Sequence, residues 1–212
     1  LVEKYLGSLP VSKKLIKKAD DGVRAVKGEV VNDFKVKMQQ PKVGLTRIYT
    51  GSIDYTLKNR VAMNVLSQVL RSRYTISIRE EKGGTYSVGV GGRVMADFEP
   101  WYQLIVLFDT NEQMADELSQ IVVDEIKKIA TEGPNKEDVE KTRKYLLKEY
   151  ENQIQMNGNW ISWLDEYDER GTNYAAEYKK VVEELTYDDL KALAAKILKD
   201  NNMAYVVMRP EK

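Results

Sequence analysis

The feature that most constrains the fold of this chain is a change of hydrophobic period about halfway along it. Before residue 110, apolar side chains recur mostly at the spacing of strands. After it they recur every three or four residues, as on helices, until one last apolar run at Met203-Ala204-Tyr205-Val206-Val207-Met208. Strands are expected over residues 29–38 (Val31, Phe34, Val36, Met38) and 43–52 (Leu45, Ile48, Tyr49). Asp54 is placed to cap a helix over 55–72, with Leu57, Val61, Val65, Leu66 and Val69 on one side, and a short helical piece continues through Ile76 and Ile78 to Lys82. Gly83-Gly84 stops it, and a glycine-rich strand is expected from Thr85 to Met95. The run from Trp101 to Phe108 is almost wholly apolar, which predicts a central strand buried on both sides.

Beyond residue 110, Met114, Leu118, Ile121, Val122 and Ile129 share a helical face, and Gly133-Pro134 ends that helix. Asn135 caps the next, with Asp138 at its third position. A helical stretch over 160–185 is interrupted near Gly171. Thr186, with Asp189 three residues on, opens a last helix through a capping box. Strands in consecutive pairs point to antiparallel hairpins, and a run of helices after a run of strands points to an α+β fold with helices on one face of a mostly antiparallel sheet.

Composition excludes more than it proposes. The chain of 212 residues has 33 basic and 33 acidic residues, so nothing in its balance marks a nucleic-acid partner or an acidic membrane surface, and no apolar run is long enough for a membrane span. It has no His and no Cys. A histidine zinc site, a thiolate metal site, a Ser-His-Asp triad and a Cys-His dyad are therefore all impossible within it. Glu80 and Glu81 are adjacent and leave a helix on different sides, which disfavours a catalytic carboxylate pair. The glycines at 83, 84, 89, 91 and 92 lack the Lys-Ser/Thr of a phosphate loop. Trp160, Trp163 and Tyr167 have the spacing of one helical face, whose default role is packing. Arg79, read alone, is a surface residue beside Glu80 and Glu81.

One segment is distinctive: Arg79-Glu80-Glu81-Lys82-Gly83-Gly84-Thr85-Tyr86-Ser87-Val88. A helix delivers an arginine near its end, glycines turn the chain, and a tyrosine sits seven residues on at the start of a strand. This resembles the arginine-to-tyrosine signature in the C-terminal half of pitrilysin-like (insulinase-like, inverzincin) zinc metallopeptidases. The residues from Glu3 to Pro10 look like the end of a preceding domain in that family, and Leu185-Thr186-Tyr187-Asp188-Asp189-Leu190 with the closing strand looks like its last helix and strand. The ordered set spans essentially the whole chain.

The resemblance implies a processing-peptidase-like metallohydrolase fold. It implies residues 1–10 as the tail of a preceding domain, 11–28 as a linker, Lys-rich at its start, and 29–212 as a C-terminal domain that binds no metal. It also implies zinc held elsewhere, in an N-terminal half of the same polypeptide or in a partner subunit, with an extended peptide as substrate. Tyr86 would then donate a hydrogen bond at the active site of that other half. Arg79, Tyr86 and Gly89 would contact substrate, Gly89 by letting backbone come close. The chain alone would be inactive, and bacterial relatives of this look suggest a periplasmic or exported setting over a cytoplasmic one. Two other roles stay open at this level: a structural scaffold subunit of the same fold, and a free-standing peptide-binding module.

Overall fold

A long amphipathic helix, α2 (Leu57–Tyr74), organises the structure, a computed structural model that describes residues 1–10, 20, 22, 24, 25, 27–96 and 98–211. Its inward stripe includes Val65, Leu66, Val69, Leu70 and Tyr74, all almost without solvent contact. Burying each of the larger of these side chains contributes about 1.5–3 kcal/mol. The helix starts two residues later than its pattern suggests. Thr56, not Asp54, supplies the cap, its hydroxyl accepting from the Asn59 amide.

Against α2 lies a five-stranded sheet in the order β1-β5-β2-β4-β3, formed by β1 (Glu29–Val36), β2 (Val43–Ser52), β3 (Gly89–Met95), β4 (Trp101–Thr110) and β5 (Asn202–Pro210). All neighbours are antiparallel except β1 and β5. β3 and β4 form the expected hairpin. β1 and β2 do not: the last strand of the chain inserts between them, parallel to β1 and antiparallel to β2. Local pattern cannot reveal this, because the insertion joins residues more than 150 positions apart.

β4 corrects the expectation of two-sided burial. Tyr102, Leu104, Val106, Phe108 and Thr110 are buried, while Trp101, Gln103, Ile105, Leu107 and Asp109 on the alternate positions are not. Its apolar run, broken only by Gln103, is one buried face and one largely apolar uncovered face. The register carries the division across the sheet: Leu45 sits opposite Phe108 and Val207 on the inner face, and Thr46 sits opposite Leu107 and Val206 on the outer. Among the described residues, the helices α3 (Ala115–Glu132), α4 (Lys136–Gln153), α6 (Tyr174–Glu184) and α7 (Tyr187–Asp200) pack with α2 on the inner side, α3 against α7 and α4 against α6.

Caps follow the sequence. The Asn135 side-chain oxygen Oδ1 accepts from the Asp138 amide, and the Thr186–Asp189 box is complete in both directions. Gly171, at φ +72°, ends α5 (Asn157–Arg170) in the left-handed region that favours glycine. On α5, Trp163 turns inward to stack on Tyr150 and Tyr174, but Trp160 and Tyr167 stay exposed. Trp160 packs edge-on against Trp163 at 5.4 Å between ring centres. A short helix, α1 (Val2–Tyr5), precedes the segment read as a linker. Much of that segment (11–19, 21, 23 and 26) lies outside the described residues.

Candidate functional site

The distinctive segment begins inside an irregular helix. After Tyr74 the chain widens for six residues (Thr75–Glu80) into a π-helical stretch. The Glu81 amide then reaches back five residues to the Ile76 carbonyl at 2.9 Å, and the Gly84 amide bonds the Ile78 carbonyl at 3.1 Å. Such widenings are rare and often mark functional sites. Here Ser77 and Ile78 are pinned in the core and Arg79 swings out to solvent.

The loop from Glu81 to Val88 is short but well anchored. Gly83, at φ +62°, makes the turn. The Gly84 carbonyl accepts a 2.6 Å hydrogen bond from the Thr110 hydroxyl, and Gly84 presses so closely on Leu118 that an added Cβ would lie 2.4 Å from it. Lys82 pairs with Glu117 on α3 at 2.6 Å, a hydrogen bond that holds the lysine above its ordinary pKa. Val88 is buried beyond the turn. With Gly84 and Val88 both held inside, the residue midway between them is thrown outward. That residue is Tyr86, 87% exposed.

Arg79 and Tyr86 meet there. The guanidinium carbon stands 5.4 Å from the centre of the phenol ring, within cation–π range. Both side chains are exposed and on the same side. The strand starts later than its pattern suggests, at Gly89, so Tyr86 lies in the loop ahead of it and not on it. Gly89 is the first residue of β3 and faces the uncovered side of the sheet, its position over Leu107 so close that a Cβ would lie 3.2 Å from that side chain.

Tyr86 and Gly89 stand at the rim of a hollow of about 650 Å³ on the uncovered face. Leu107, Val206, Met208 and Phe34 line it, one strand after another, and Asp109 marks its polar end, paired with Lys42 at 2.5 Å. Sequence reading did not find this floor. Its one signal was the parity of Gln103 and Asp109, which puts polar groups on only one face of β4. No group of three His, Cys, Asp or Glu among the described residues could hold a metal ion, and the chain has neither of the side chains that zinc prefers. The residues present do not fit zinc.

What this surface offers is an exposed phenol hydroxyl, a guanidinium over its ring, and an apolar floor ending in a sheet edge. Comparison with known proteins identifies the family of the chain. The family model of the peptidase M16 inactive domain matches residues 1–146. No curated protein matches in sequence. Among solved structures, the periplasmic protease PqqL from Escherichia coli superposes on 99% of the chain with a TM-score of 0.80 at 17% identity. The ferredoxin protease FusC, solved in complex with Arabidopsis ferredoxin, superposes on 100% with a TM-score of 0.79 at 15% identity. The chain spans 23% of the length of each of these two proteases. A peptidase M16 inactive domain from Pseudomonas fluorescens matches 88% of the chain, and 44% of its own length, with a TM-score of 0.72 at 18% identity. The superpositions identify the fold, and the family model, which covers more than half of the sequence, identifies the membership: the chain belongs to the peptidase M16 inactive-domain family, the C-terminal non-catalytic domain of pitrilysin-like peptidases.

Proposed function

We propose that this domain completes the active chamber of a zinc metalloendopeptidase, binding extended peptide and presenting Arg79 and Tyr86 to a catalytic half that carries the zinc. In this reading residues 29–212 are the chamber-closing domain, 1–10 belong to the domain before it, and the protein works outside the cytoplasm, as the periplasmic setting of PqqL suggests. The observation that carries it is the Arg79–Tyr86 pair, exposed and in mutual contact, with Tyr86 on the rim of the hollow.

The chemistry follows from the groups themselves. When a peptide carbonyl is attacked, negative charge builds on its oxygen, and a positioned hydroxyl that donates to that oxygen lowers the barrier. Tyr86 is such a donor. Arg79, against the ring face, limits the ring's swing and keeps further N–H groups for substrate carbonyls without ever losing its charge. The substrate lies extended along β3, with Gly89 allowing its backbone to approach.

The test is Tyr86→Phe in the assembled enzyme. Turnover should fall by about 100-fold, the usual loss when one oxyanion donor is removed, while zinc content measured by elemental analysis stays at the parent value. Unchanged turnover would take Tyr86 out of the mechanism.

A further inference from the structure

β3 pairs with β4 on one side and has no strand partner on the other among the described residues. Along that free edge run two hollows of about 420 Å³ each, which share Asn64 and Gly92 and so form one trough. Its inner wall is a polar stripe of α2, in which Arg60, Asn64, Gln68 and Arg71 recur at helical spacing. Three arginines line the trough, Arg60, Arg71 and Arg93, and no carboxylate does. Arg60 is already matched by Glu166. Arg71 and Arg93 form no ion pair among the described residues: Arg71 donates to the Val90 carbonyl and Arg93 to the Gln103 side-chain oxygen at 3.0 Å. In a chain of zero net charge this is a local excess of positive charge on a sheet edge.

The bond from Arg71 to Val90 matters most. It places a cationic N–H where the backbone amide of an adjacent strand would donate. The two free guanidiniums also lie on opposite sides of the edge. Arg71 rises from α2 on the inner face. Arg93 pairs with Gln103 on the outer face, on the parity opposite to buried Tyr102 and Leu104.

We infer that the β3 edge seats an extended peptide bearing two acidic side chains three residues apart, one for Arg71 and one for Arg93. In an added strand, the residues opposite Val90 and Arg93 are separated by three positions, about 10 Å. An odd separation sends their side chains to opposite faces, which is the placement of the two arginines. This rests on the proposed function only in taking β3 as the peptide's track, and it adds the class of substrate: Glu/Asp-x-x-Glu/Asp in extended form.

The experiment uses fluorescence anisotropy of dye-labelled peptides with the 212-residue chain. The probes are a Glu-x-x-Glu peptide, its Gln-x-x-Gln counterpart, and a Glu-x-x-Glu peptide N-methylated on alternate amides. The acidic peptide should bind about tenfold more tightly than the Gln form, a preference that shrinks in high salt. N-methylation on one of the two alternating sets of amides should abolish binding. Arg71→Ala and Arg93→Ala should each remove most of the preference. Arg93→Glu, on the exposed edge where folding is not at stake, should turn it toward a peptide carrying Lys at the matching position. Equal binding of the acidic and Gln peptides, no binding of either, indifference to N-methylation in both alternating sets, or a preference that survives both arginine variants would overturn the inference. Turnover of the Tyr86→Phe enzyme is read separately, in the assembled protein. A failed preference alongside a slowed Tyr86→Phe enzyme would therefore remove the acidic track and leave the role of Tyr86 standing, and the converse result would do the opposite.

Discussion

Gly92 shows how tightly single residues are specified here. On β3 it faces α2, and a Cβ in its place would lie 2.7 Å from the Met63 carbonyl oxygen, a backbone atom that cannot turn aside. Gly92→Ala should therefore push the strand off the helix and cost about 1–3 kcal/mol, read as a lower urea midpoint at unchanged slope. Sequence alone found the glycine-rich strand, but not that Gly92 makes room for the chain's own helix. Arg79 and Tyr86 were legible because type and spacing are carried by the chain itself. Their contact was not, since it depends on a widened helical turn that leaves no mark in hydrophobic period. Arg71 and Arg93 escaped notice for a related reason: a lone arginine on a helix or strand means nothing until a fold sets both on one edge.

Among the elements, the π-helical stretch is the one whose geometry the site needs. Each residue advances a helix by about 100°, so deleting Ser77 would restore regular α-helical winding and turn Arg79 away from Tyr86 by about that angle. The variant should keep its far-ultraviolet circular dichroism, while the assembled enzyme loses activity at least as far as Tyr86→Phe does. The capping box of α7 offers a separate test. Burial works to raise the pKa of Asp189, but hydrogen bonds from Lys58 and from the amide and hydroxyl of Thr186 outweigh it and hold the carboxyl below its ordinary value. A carboxylate depressed on folding contributes fully above its unfolded pKa, about 3.9, and that contribution is lost as pH falls through the lower native value. Asp189→Asn should thus destabilise by about 1 kcal/mol at pH 7. The gap to the parent protein should close as urea titrations move below pH 4. This box was readable from four residues of sequence because caps are local. The burial of β4 was misjudged because a strand cannot tell a covered face from an uncovered one when both are apolar.

On the scale of the whole molecule, the order β1-β5-β2-β4-β3 ties the two ends of the domain together. The Gly28 amide donates to Asn202 at 2.8 Å, and the Met203 amide to the Gly28 carbonyl at 2.9 Å. The class of fold followed from the run of strands and then helices, but this closure did not, because no local signal says which strand takes the gap. The sheet has one clothed side and one bare side, and that has a practical consequence for anyone who prepares the domain by itself. Phe34, Leu107 and their neighbours leave a greasy plate on a particle whose positive and negative charges cancel near pH 6.7. Electrostatic repulsion between particles vanishes where the plate is free to stick. Light scattering from a concentrated solution should peak near that pH and subside toward pH 9, and Leu107→Lys should flatten the peak without lowering the melting temperature.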